Sequence, residues 1–398
     1  MSNLHSLHHD VVVVGARAAG SATALLLARL GHDVVVVDRA RFPSDTLSTH
    51  SIARSGVVQL ARWGLLDDVL ASGTAPIRDV TFHVDGVADT RRVKDKSGVD
   101  LLVAPRRHVL DPIVADAAEA AGATMWFGVT VTDVVRGHDG RAIGVTGRDE
   151  DGEPVHVPAR FVVGADGLRS RIARSVGAPV LEGGPSNSGT HYAYYGGLPW
   201  TGNEFYVAQG SFAGIFPTND GEACIWVCMP ADEAEAIRRA SGSMFEAWEE
   251  MLLTRAPALA DRLTGARRTS TVRGALRFPN ELRQPVGPGW ALVGDAGYHR
   301  DPITGHGISD AFRDAELLAS ALDLALNGLA DDFGALATYH RERDLAVRKI
   351  FDITRRLSAY PDLPEFVEGF RHLSRAIDVE AATLAARPVP GRPQQAVA

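Results

Sequence analysis

Residues 10–20 read Asp10-Val11-Val12-Val13-Val14-Gly15-Ala16-Arg17-Ala18-Ala19-Gly20. Four consecutive β-branched residues bounded by a glycine predict a short strand buried on both faces, the pattern of a parallel sheet. Ala18 to Leu30 then predicts a helix, closed by Gly31, which suits the left-handed position after a helix end. Asp33 to Val37 repeats the all-valine pattern and ends in Asp38, completing a strand–helix–strand unit. A glycine-rich turn between strand and helix offers backbone N–H groups and the positive end of a helix dipole to a pyrophosphate. The partner for that chemistry is an acid about 20 residues on, at the end of the second strand, which accepts hydrogen bonds from adenosine ribose hydroxyls. Asp38 stands 23 residues after Gly15. The expected ligand is an adenine dinucleotide held by Gly15, Arg17, Ala19, Gly20, Asp38 and the neighbouring Arg39. Arg17 stands where the pattern has its second glycine, and a tight turn without a ligand is the alternative.

Working outward, the chain has 398 residues, a formal net charge of −8, 45% hydrophobic and 23% charged residues. That length allows two to three domains, at about 150 residues each, or one large two-layer enzyme. The composition excludes a disordered or collagen-like chain, and the negative charge argues against nucleic-acid binding. Two cysteines, Cys224 and Cys228, cannot frame disulfides in a chain this long. Their spacing of four puts both on one face of a strand as core thiols, and no metal site is expected. No basic segment followed by an apolar run opens the sequence, and no stretch nears the roughly 20 apolar residues of a membrane span. The expectation is a cytoplasmic protein.

Helices are expected at Gly56 to Leu70, Val109 to Ala121, Asp232 to Ala256, Ile308 to Leu326 and Ala335 to Leu357. Strands are expected around Trp126 to Val135, at Arg160 to Gly164, at Thr269 to Leu276 and at Trp290 to Val293. Thr190 to Met229 is aromatic and alternating, with turn residues Asn219-Asp220-Gly221, as in an antiparallel sheet. Residues 386–398 hold three prolines and predict a frayed tail.

Two further segments extend the reading. Val162-Val163-Gly164-Ala165-Asp166-Gly167 leads to Ser170, and Ala291-Leu292-Val293-Gly294-Asp295-Ala296 leads through Pro302 to Gly305-His306-Gly307. With the N-terminal turn, they resemble the three fingerprints of FAD-dependent monooxygenases built like p-hydroxybenzoate hydroxylase. The resemblance runs in order along nearly the whole chain and includes Arg107, with Leu110 three residues later at a helix start. It implies an α/β fold: a GR2-like, Rossmann-type FAD-binding domain, a mixed antiparallel-sheet substrate domain and C-terminal helices. The FAD domain would comprise 1–75, 100–178 and 277–340, the substrate domain 76–99 and 179–276, and the helices 341–385.

Carried over, the resemblance implies that Gly15 and Gly20 line the pyrophosphate and Asp38 the adenosine ribose. Asp295 would bind ribityl hydroxyls, Arg107 would reach the phosphates and ribityl chain, and Val131 would offer backbone to adenine. Asp166 belongs to a fingerprint serving both FAD and NAD(P)H, although the usual arginine three positions after Ser170 is here Ala173. A helix N-cap is the other role open to Asp166. Backbone N–H groups of the Pro302, Gly305, His306 and Gly307 segment would face the flavin's N1–C2=O edge, where fixed donors stabilise negative charge. His50, in a loop that this family runs past the isoalloxazine ring, is the candidate proton shuttle. A loop histidine bonded to backbone is the alternative. Tyr194, Phe216 and Pro217 are the candidate substrate contacts, with packing in the sheet the alternative for the tyrosine.

The implied activity is a monooxygenase that hydroxylates or epoxidises an aromatic or polyketide-like small molecule through a flavin C4a-hydroperoxide, using NAD(P)H and O2. An external flavin reductase is a second electron source that the resemblance allows. The competing reading is a flavin-dependent reductase of a carbon–carbon double bond, similar to geranylgeranyl reductases. A halogenase fits less well, since the nearest text to its Trp-x-Trp-x-Ile-Pro segment is Cys224-Ile225-Trp226-Val227-Cys228 and lysines are scarce. An FAD-holding protein without turnover is the non-enzymatic reading.

Overall fold

The computed structural model describes residues 8–48 and 50–391. Its organising element is the strand His9–Val14, which lies between Val34–Asp38 and Pro154–Gly164 and runs parallel to both, with Val12 opposite Val35 on one side and Val162 on the other. Trp290–Leu292 adds in parallel beyond Pro154–Gly164, and Thr124–Phe127 beyond Val34–Asp38. The valines alternate between two cores, as period-2 geometry requires. Val11 and Val13 pack with Leu25, Leu110 and Phe312 from helices on one face, whereas Val12 and Val14 pack with Val145, Ile172 and Leu292 on the other. A hairpin of Thr130–Arg136 and Ala142–Arg148 pairs antiparallel with the first half of Pro154–Gly164. Because these core strands are parallel, Gly15, Asp38, Asp166 and Asp295 all emerge at one edge of the sheet.

A second sheet is ordered Arg267–Arg268, Ser188–Gly196, Ala223–Pro230, Ser211–Pro217, Asn203–Ala208, Asp79–Val84, Val87–Arg92. One face carries Ile215 and Ile225 against Trp248 and Met251 of the helix Met244–Arg255. The other carries Phe212 and Trp226 toward Phe366 and Leu373 of the last helix, Leu363–Ala386. Val180–Pro185, Pro279–Arg283 and Tyr298–His299 form a small third sheet. Cys224 and Cys228 are buried free thiols. No helix among the described residues is long and apolar enough to cross a membrane.

Several expected elements are subdivided. The single helix expected at Gly56 to Leu70 is two, Arg54–Trp63 and Leu66–Ala71, because Gly64 takes a left-handed conformation that ends the first. The strand expected around Trp126 to Val135 is likewise two, Thr124–Phe127 and Thr130–Arg136, in different parts of the sheet. Asp232 to Ala256 divides into Ala231–Ala240 and Met244–Arg255, where Ser243 caps the second helix by accepting the Glu246 N–H. In Thr269 to Leu276 only Arg273–Leu276 is strand. Ala386 ends the last helix instead of starting a frayed tail. Arg387 is tied down by its carbonyl, which accepts from Arg62, and by its ion pair with Glu342, while Val389 packs on the core. The remainder of that tail, 392–398, lies outside the described residues.

The turn after the first strand is sterically closed. A Cβ on Gly15, at φ 107°, would stand 2.5 Å from the Ala165 carbonyl oxygen, and one on Gly20 would stand 1.7 Å from the Gly15 carbonyl oxygen. Helix Ala18–Arg29 can therefore start this close to the strand end only with glycine at both positions. Gly20→Ala is expected to destabilise the protein by about 1–3 kcal/mol, read as a lower thermal midpoint. An unchanged midpoint would show that the helix can retreat at no cost.

Candidate active site

The shared strand edge opens into a cavity of about 890 Å3, and the parallel strands deliver their loops to its walls. Gly15, Arg17 and Ala19 line it from the first turn, Asp38 and Arg39 from the second strand end, and Val131 from the hairpin. Arg107, Asp166 and Asp295 line it too, as do Pro302, Gly305, His306 and Gly307. Gly20 does not. It is buried in the helix and acts by allowing the close turn.

Asp38 is braced by the turn it serves, accepting the Ala16 N–H at 2.7 Å and the Ala40 N–H at 2.8 Å. Arg17, the departure from the glycine pattern, has an ordinary φ of −83°, so its backbone needs no glycine. Its guanidinium is drawn aside to Asp111 at 2.8 Å and to the Ser44 carbonyl at 3.2 Å. Asp111 is fully buried and also accepts from Arg107 Nε at 2.8 Å. One buried carboxylate thus braces two arginines on the cavity wall, and the sequence reading missed it. The i, i+4 spacing of Arg107 and Asp111 on one helix was the available signal.

The two fingerprint acids differ in their hydrogen bonding. Asp166 accepts from Ser170 Oγ at 2.5 Å, from the Arg171 N–H at 2.6 Å and from the Ile172 N–H at 3.2 Å. Its carboxylate caps the short helix Arg171–Ser175 while still lining the cavity, so the helix-cap role is met and the side chain also faces the cofactor space. Asp295 is exposed to the cavity and has no hydrogen-bond partner among the described residues, which leaves both oxygens open to hydroxyl donors.

His50 lines the same cavity and is itself buried, at a φ of 62°. Its Nε2 is hydrogen-bonded to the Tyr194 hydroxyl and its Nδ1 has no partner among the described residues. Burial pushes the imidazole down to about 3, against the attraction of Asp45, so it is neutral at ordinary pH. Tyr194 lies behind His50 with the Arg106 guanidinium 3.8 Å above its ring, and burial raises its hydroxyl. It reaches neither cavity wall, so its expected contact with substrate is replaced by support of His50.

A second cavity of about 850 Å3 meets the first at Ser51, Pro302 and Gly305, which line both. Its walls are mainly apolar and include six aromatic side chains, Phe82, Phe205, Phe212, Phe216, Trp226 and Phe370. Phe216 lines this cavity, whereas Pro217 lies outside both linings. Behind the shared loop, the buried His306 Nε2 hydrogen-bonds Glu380 at 2.6 Å. His306, Asp310 and Glu380 bring ligand atoms within 4.8 Å of one another, but the positive charge among them is Arg313, bonded to Asp310 at 2.5 Å and to Glu380 at 2.7 Å.

A glycine turn at a helix N-terminus, a braced acid at the second strand end and an open acid at the last one face one cavity, a layout in keeping with an FAD-dependent oxidoreductase. The chain belongs to the FAD binding domain family, whose model matches residues 8–354. It is 28% identical over 370 residues to a menaquinone reductase of Mycolicibacterium smegmatis, covering 90% of this chain and 86% of the relative. It is 29% identical over 327 residues to digeranylgeranylglycerophospholipid reductase 2 of Methanopyrus kandleri, covering 76% and 74%. Among solved structures, PqsL of Pseudomonas aeruginosa, a probable FAD-dependent monooxygenase, superposes with a TM-score of 0.76 at 26% identity, covering 92% of this chain and all of that one.

The open and the capping acid predict different mutant behaviour. Asp295→Ala is expected to weaken FAD binding roughly tenfold or more, measured by titrating flavin fluorescence into apoprotein. Asp166→Ala is expected to keep FAD affinity and lose about 1 kcal/mol of stability. Full flavin occupancy in Asp295→Ala would remove that residue from the site.

Proposed function

We propose that this protein is a monooxygenase of an electron-rich aromatic small molecule, which sits in the 850 Å3 cavity beside FAD held in the 890 Å3 one. The supporting observation is the meeting of the two cavities at the Pro302–Gly305 loop, with an aromatic box on the far side. Phe82 stacks on Phe205 at 5.0 Å and Phe205 on Phe212 at 5.5 Å, surfaces that favour a planar π-system over a saturated chain.

Gly15, Arg17, Ala19, Asp38, Arg39, Arg107, Val131 and Asp295 would hold the dinucleotide, and the Pro302–Gly307 backbone its ring end. When bound, FAD supplies two-electron chemistry, accepting electrons from NAD(P)H and either activating O2 for transfer of one oxygen atom or passing hydride to a double bond. The chain's part is to position and to keep water out. The apolar cavity excludes competing hydrolysis, and the N-terminus of helix Gly307–Leu326 presents N–H groups and dipole toward the ring end. His50 stays neutral and relays a proton instead of storing charge, with Tyr194 fixing Nε2 and Nδ1 left free to give or take one.

The second reading, reduction of a carbon–carbon double bond, is favoured by the two reductase relatives, which match across most of their length. Isotopes separate the two. Turnover of an aromatic substrate under 18O2 is expected to add one labelled oxygen atom to product. Product that carries deuterium from D2O or deuterated NADPH and no labelled oxygen would replace the proposal with the reductase.

A further inference from the structure

The apolar cavity is not apolar at its mouth. Its lining includes six cations, Arg54, Arg91, Arg92, Lys94, Lys96 and Arg371, against two carboxylates, Asp89 and Asp378. The chain as a whole has a net charge of −8 and only three lysines, of which Lys94 and Lys96 are two. Positive charge is thus concentrated where the rest of the protein is short of it.

Strand register explains how these charges reach the cavity. In the hairpin Asp79–Val84 and Val87–Arg92, Val80 is opposite Arg91, Phe82 opposite Asp89 and Val84 opposite Val87. Directly opposed residues share a face, so Arg91 and Asp89 stand on the face of Val80, Phe82 and Val84, all of which line the cavity. Past the strand, Arg54 donates to the carbonyls of Lys94 at 2.9 Å and Val99 at 2.7 Å, fixing this segment over the opening. Asp378 of the last helix takes Arg54 at 3.2 Å and Lys96 at 2.5 Å, and Asp89 takes Arg91 at 2.6 Å. Arg92 pairs with Asp79 and Arg371 with Glu368, each at 3.0 Å, and Lys94 has no ion-pair partner among the described residues, so six cations face four carboxylates and the rim keeps positive charge.

We propose that the occupant of this cavity is an amphiphile, an apolar body inside and a carboxylate, phosphate or sulfate at the Val87–Lys96 rim. This rests on the cavity being the substrate site, and it adds the charge of the substrate. The rim gives orientation, since an anion held at the mouth leaves the far end of the body at the Pro302–Gly305 loop. Arg91 and Lys94 are specificity residues here.

The test uses the FAD-loaded protein and three probes below their aggregation limits, 2-naphthoate, its methyl ester and 2-naphthylmethylammonium. Binding is read as perturbation of the flavin absorbance band. The carboxylate is expected to bind about tenfold more tightly than the ester and the cation weakest, with the preference fading between 50 and 500 mM NaCl as the rim is screened. Arg91→Gln with Lys94→Gln should bring carboxylate and ester within about twofold while leaving ester affinity and thermal midpoint unchanged. Equal affinity for carboxylate and ester in the unaltered protein would overturn the proposal and leave the site reading standing. No response to any probe would overturn both. A parallel arm with phosphatidylglycerol vesicles separates a free anion from a lipid headgroup. Vesicle binding that the same double substitution abolishes supports the rim as an anion site in a membrane lipid's hands, and vesicle binding that it leaves intact counts against it.

Discussion

Arg313 is fully buried, and the two cavities depend on how it is satisfied. Its guanidinium bonds Asp310 and Asp314 on its own helix, Gly307–Leu326, and Glu380 on the last helix. Asp310 accepts in turn from Arg300 at 2.5 Å, and Glu380 from His306 at 2.6 Å. Burial alone would raise the Glu380 carboxyl, yet His306 and Arg313 hold it below its ordinary range. Asp314, deeper, is pushed up to about 6 by burial in spite of Arg313 and Arg343. Breaking one member of such a cluster leaves a buried charge unpaired, which costs about 3–5 kcal/mol. The last helix therefore cannot drift from the helix that begins at the cofactor loop.

That fixed pairing has a functional consequence, because the same two helices wall different cavities. Gly307 and Ile308 border the cofactor cavity, while Phe370, Leu373 and Ile377 border the apolar one. The Pro302–Gly305 loop is held between them, with Asp301 accepting the Ile303 N–H at 2.9 Å to shape it. Parallel strands bring the dinucleotide residues to one edge, a mainly antiparallel sheet supplies the aromatic box, and the ion cluster sets the distance between them.

The strand–helix–strand turn and the acid at its second strand end were legible because their signals are local. Val11 to Val14, Gly15, Gly20 and Asp38 lie within one strand–helix–strand unit, and the physics that shapes them acts over a few residues. The fingerprint around Asp295 was legible for the same reason. Asp166 shows the limit, since a residue at a strand end can face a ligand, cap the next helix or do both, and the cap is set by where the Arg171 and Ile172 N–H groups lie. What lay beyond the sequence is contact between distant segments. His306 and Glu380 are 74 residues apart, Arg17 and Asp111 94 apart, and His50 and Tyr194 144 apart. The apolar box draws on the hairpin, the second sheet and the last helix together. Tyr194 looked like a pocket aromatic because alternation marks a face of a sheet without saying what covers it.

On the proposed reading, this chain holds FAD where a pyridine nucleotide reduces it while a ligand occupies the apolar cavity. Anaerobic mixing of the FAD-loaded protein with NADPH, and separately NADH, while following the oxidised flavin band, tests it most directly. Bleaching with at least one nucleotide, faster when an aromatic ligand is present, is the expected result. A band that persists with both nucleotides, with and without ligand, yet bleaches with dithionite would contradict direct reduction and move the electron source to a separate reductase.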